Sequence, residues 1–133
     1  IASWLPRDAK LAAAILLTGL IGMAGNVAYG FDTIHQSLGD TPLVDQGGVA
    51  NLIKPLGLFF PLSLALMAIA LMKLGHRWQG AVVLVASIGW PIAHIANIAT
   101  LAVLVNVALV LGFASLVRTR PPDALHPGDR GSG

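Results

Sequence analysis

Seven residues have types that could do chemistry in this chain: Asn26, Asp32, His35, Lys54, Trp90, His94 and Asn97. Asp32 and Lys54 offer a carboxylate and an ammonium that can pair. His94 carries an imidazole suited to a carboxylate or a lipid headgroup. Gathered at one depth, the seven would make a shallow, outward-facing site for a lipid, a quinone or a small solute. The same residue types also describe an ordinary wet membrane interface, where Lys snorkels and Trp sits at headgroup level. The interface is the simpler reading, and the site reading says where to look.

Other chemistries lack their parts. Zinc catalysis needs three converging ligands, and no His-x-x-x-His or similar spacing occurs. Ser63, Ser87 and Ser115 have no neighbouring His to act as base. A b-type haem needs two axial ligands at one depth on facing helices. His94 could be one, but His76 falls at the opposite membrane face, His35 in a loop and His126 in the tail. With no cysteine, disulfide, thiolate and thiol-redox chemistry are excluded. No cofactor and no metal are expected.

Composition names the solvent. Of 133 residues, 56% are hydrophobic and only 11% charged. A soluble domain of this size has no interior large enough to hide so much apolar side chain, so the bilayer must receive it. The net charge of +2 and a pI near 9.5 do not point to nucleic acid, because the cations are dispersed at the ends of apolar runs. Richness in Ala, Gly and Val, with Arg and Pro in the tail, suggests a bacterial chain, and hence a multi-pass protein of the cytoplasmic (inner) membrane.

The elements that must position the seven residues follow from length. One span is expected over 9–30, with no small-x-small cleavage site at its end, led in by Trp4, Pro6 and Arg7 and capped by Asp8. An acidic outer loop over 31–50 holds Asp32, Asp40 and Asp45, and 32–38 can make a short surface helix within it. A second span covers 51–72, with Pro55 in its first turn and Pro61 deeper, where it should kink the helix. The apolar stretch 79–117 contains 39 residues, about 58 Å of helix, roughly twice a hydrocarbon core. It must fold back near Gly89-Trp90-Pro91 and His94, giving spans over 79–93 and 97–117. The tail 121–133 reads as disordered.

The expected fold is an all-α integral membrane protein of four transmembrane helices in an up-down bundle, a single four-span domain over 1–120. Arg7, Lys10, Lys73, Arg77, Arg118 and Arg120 then fall on one side, which puts both termini in the cytoplasm. Ala14, Thr18, Gly22, Asn26 and Gly30 recur every fourth residue and form a candidate helix-contact stripe on the first span. Asn106, near mid-membrane in the fourth, should bond a neighbouring helix.

Two resemblances add little. Size and span number are similar to the small multidrug exporters, which depend on a first-helix glutamate. This chain has no Glu, and its first span is uncharged from Leu11 to Gly30. The segment 55–92, with Gly57-Leu58-Phe59-Phe60-Pro61 and His76-Arg77-Trp78-Gln79-Gly80, resembles a hairpin of uncharacterised bacterial multispan proteins, which implies no activity. The leading expectation is therefore a small, non-enzymatic accessory or packing subunit of a larger membrane complex, its partners being the lipid bilayer and other membrane subunits or further copies of itself. A small oligomeric transporter or lipid/quinone-binding protein using the outer polar cluster is the alternative. A membrane enzyme or electron carrier ranks third.

Overall fold

A computed structural model of the chain describes residues 9–96 and 98–118. The lead-in, the Asp8 cap, Asn97, Arg120 and the tail lie outside them. The described residues form helices α1 (Ala9–Ser37), α2 (Ala50–Ile53), α3 (Phe59–Lys73), α4 (Arg77–Ile95) and α5 (Ala99–Arg118), with no strand among them. A short 3-10 turn spans Leu43–Asp45, and another, Lys54–Leu58, links α2 to α3 into one run over Ala50–Lys73. Four helices are thus long and apolar enough to cross a membrane.

Three bounds differ from expectation, each for a local reason. α1 continues through Gly30 to Ser37, because Asp32 and Gln36, four residues apart, hydrogen-bond along its surface at 2.7 Å. α4 runs through Pro91 to Ile95, and α5 begins at Ala99. The Ala50–Lys73 run leaves α geometry ahead of Pro61 rather than at it. Pro61 has no N–H for the Gly57 carbonyl and its ring crowds that carbonyl, so the preceding turn tightens to 3-10.

Neighbours in the chain are neighbours in space: α1 packs on α3, α3 on α4, and α4 on α5. α3 is the central helix, and the Ala50–Lys73 run that contains it is 39% buried over its most apolar part, against 17% for α1 and 22% for the last span. Ile15 of α1 meets Ala70 on one side of α3. Leu64, Ala68 and Leu71 face Val83 and Ala86 of α4 and Val105, Leu109 and Leu116 of α5 on the other.

The first crossing depends on glycine. A Cβ on Gly22 would collide with the backbone of Phe59 and Phe60, and one on Gly25 with the backbone of Leu56 and Gly57. Gly19 lies on the same side, facing Ser63. The contact line therefore follows Ile15, Gly19, Gly22, Gly25 and Tyr29, at three- and four-residue steps. The strict fourfold stripe drifts about 40° per step. Gly22 belongs to the contact, but Gly30 is exposed with nothing near it. Thr18 turns its hydroxyl to its own helix, donating to the Ala14 carbonyl at 2.6 Å.

Helix ends are closed by one device. At the end of α1 the Asp40 N–H donates to the His35 carbonyl and the Gly39 N–H to that of Gln36, both at 3.1 Å. At the end of α3 the His76 N–H donates to the Leu71 carbonyl at 2.9 Å and the Gly75 N–H to that of Met72 at 3.1 Å. These are Schellman closures, with Gly39 at φ +92° and Gly75 at φ +88° supplying the left-handed residue. Gly75→Ala should cost about 1 kcal/mol in unfolding measured in detergent micelles, whereas Gly47→Ala, in open space without a positive φ, should be neutral.

Candidate functional site

At the loop end of α1 the polar residues bond mainly to the chain itself. Asp32 is buried, only 9% exposed. Its Oδ1 accepts the Leu43 backbone N–H at 2.8 Å and its Oδ2 accepts from Gln36 Nε2. The loop over 38–49 is thereby folded back onto the last turns of α1. The Gln46 side chain donates to the Thr41 carbonyl at 2.7 Å and cross-braces this loop.

Asp32 and Lys54 do not pair, contrary to expectation. Asp32 has two nearer donors, and the Lys54 ammonium instead donates to the Gln46 carbonyl at 2.7 Å and to Asn51 Oδ1 at 2.8 Å. The Lys54 carbonyl, in the 3-10 turn, accepts the Tyr29 hydroxyl at 3.0 Å. Asn26 and the Tyr29 ring border Gly57, so the tight turn ahead of Pro61 rests against α1. His35 and Asp40 form an exposed pair at 2.7 Å across the Schellman closure, where two apolar side chains commonly meet.

Trp90 and His94 make a separate arrangement on α4. Their rings stack, with centroids 4.0 Å apart, and the Trp90 ring leans on Phe60 of α3 at 5.2 Å. His94 Nδ1 lies 2.8 Å from the Trp90 carbonyl. A carbonyl oxygen can only accept, so Nδ1 carries the proton and a neutral ring leaves Nε2 as an outward acceptor. Within the chain its partner is its own helix and not a carboxylate. Asn106 also departs from expectation: it is exposed, and its Nδ2 donates to the Ala102 carbonyl of its own helix at 2.8 Å instead of to a neighbour.

Among the described residues, one of these places is concave. A groove of about 530 Å³ opens between the end of α1, the returning loop and the start of the second span. Ala28, Phe31, Leu43 and Ile53 give it an apolar wall, and Asp32, His35, Asp40, Thr41 and Gln46 its polar side. Of the seven residues singled out in the sequence, it gathers Asp32 and His35. Lys54 stands at its edge through Gln46, while Asn26, Trp90 and His94 are not among its lining residues, and Asn97 lies outside the described residues. Phe31, Thr41 and Gln46 carried no sequence signal, since they join the groove only when the loop folds back. Among the described residues, no three His or Asp side chains come close enough to hold a metal ion.

Fold and groove define a class: among the described residues the secondary structure is all helical, four apolar helices have the length to cross a membrane, and a self-bonded polar loop lies at one end. Comparison with known protein families, with curated proteins and with solved structures returns no match for this chain.

Proposed function

We propose that the chain is a non-enzymatic, four-span protein of a bacterial cytoplasmic membrane, with both termini cytoplasmic, serving as an accessory or packing subunit of a larger assembly. The cations at the chain ends and at the Lys73–Arg77 turn support the orientation. Asn106 supports the subunit role. It lies near the middle of α5 on an exposed face shared with Val103, Val110, Ala114 and Val117. In hydrocarbon a carboxamide needs partners, and the bond to Ala102 uses only one of its hydrogen-bonding positions. A helix of another subunit against this face would supply the rest, worth on the order of 1 kcal/mol.

Native mass spectrometry after gentle extraction tests this reading. The wild type should leave the membrane in fixed stoichiometry with other protein subunits. Asn106→Val should bind them about fivefold more weakly with its own unfolding midpoint unchanged, because the Asn106 side chain bonds only within α5. A lone monomer from the wild type would refute the subunit role. Orientation is tested separately in the cysteine-free chain with Val44→Cys and Trp78→Cys, both exposed, which an impermeant maleimide should reach from opposite sides. The groove favours a second reading, lipid handling at the outer end.

A further inference from the structure

α1 is longer than the run it packs against. At 1.5 Å per residue its 29 residues measure about 43 Å, and the 24 residues of Ala50–Lys73 about 36 Å. The surplus lies at the loop end, where an apolar span passes into a polar cap and the groove opens. Its size is within the range of small-molecule sites. Phe31 is 62% exposed, an apolar ring presented at the loop end of α1.

The charges are sorted. No Lys or Arg lines the groove, and its carboxylates are Asp32 and Asp40. Both oxygens of Asp32 are engaged within the chain. Asp40 gives only Oδ2 to His35 and is 59% exposed, which leaves Oδ1 to accept from a ligand. The Lys54 ammonium stands at the other edge, on the carbonyl of Gln46.

We propose that this groove seats one phospholipid with a primary-ammonium headgroup. Its chain lies on Phe31 and Ile53, its ammonium donates to Asp40, and its phosphate faces Lys54. A primary ammonium suits an acceptor such as Asp40 because it has hydrogens to donate. A choline headgroup is held by cages of several aromatic rings, and this groove has one. An anionic headgroup with no cation would place its charge against Asp40. The inference rests on reading the four helices as membrane spans and on lipid handling at the outer end.

The test uses the full chain in bilayers of equal parts phosphatidylethanolamine, phosphatidylcholine and phosphatidylglycerol, with retained lipid read by native mass spectrometry. Wild type should keep phosphatidylethanolamine in preference to the other two. Asp40→Asn should weaken that retention about tenfold, the loss expected for one charge-assisted bond. Asp45→Asn, which makes the same change of net charge outside the groove, should retain it as wild type does. Equal retention of the three lipids, or equal losses in the two variants, would overturn the proposal. Maleimide labelling of Val44→Cys, exposed and outside the groove lining, and of Trp78→Cys in the same bilayers keeps the failures apart. Labelling from opposite sides without lipid preference sinks the lipid site alone, and labelling from one side sinks the spanning arrangement with it.

Discussion

Gly22→Val and Gly25→Val should each destabilise the protein by about 3 kcal/mol, read as a lower midpoint in denaturant titrations in mixed micelles. At both positions the obstacle is the backbone of the Lys54–Leu58 turn or the first residues of α3, which cannot rotate aside as a side chain can. The helices must separate, and separation also strips Ile15 from Ala70 and draws the Tyr29 hydroxyl from the Lys54 carbonyl. Gly30→Val, on the same helix in open space, should stay within about 0.5 kcal/mol of wild type. A Gly30 variant as damaging as the other two would mean that helix propensity, and not the crossing, sets the cost.

Asp32→Ala should release the loop over 38–49 from α1 while the spans remain assembled. The Leu43 N–H is buried and would lose its acceptor, and a hydrogen bond to a charged group contributes about 2 kcal/mol. Amide exchange at Leu43 should then be about 30-fold faster, with the amides of α3 unchanged. Asp32→Asn keeps one oxygen for Leu43 but turns an amide toward Gln36 Nε2, so its effect should be intermediate. Unchanged Leu43 exchange in the alanine variant would show that the loop is held by something else.

Apolar length made the four helices legible in the sequence, and the need to fold back an overlong stretch located the turn after α4 to within a few residues. A helix over 32–38 was legible, but its unbroken continuation from the first span was not. Gly30 and Asp32 look like the start of a loop, yet the carboxylate that suggests a break reinforces the helix by bonding Gln36 and anchors the returning strand of loop at Leu43. No periodicity announces a bond between a side chain and a backbone amide eleven residues away. The contact line on α1 was half legible. Small residues marked the helix, but Gly19 and Gly25 could be chosen over Ala14 and Gly30 only by knowing which face meets Phe60. Lys54 was assigned the wrong partner for a similar reason, since opposite charge suggested Asp32 where geometry supplies Gln46 and Asn51.

The chain-order arrangement of the helices has a consequence in time. α4 and α5 each pack on the helix made just before them, α3 packs back on α1 across the loop, and α3 and α4 are joined by a three-residue turn. Contacts close in sequence need little loop closure, so hairpins of this kind form quickly and need not wait for distant segments. The protein can therefore assemble in the direction of its synthesis: α1 waits for α3, α3 receives α4 on its free side, and α5 arrives last. The final helix completes the stack without having been needed to start it.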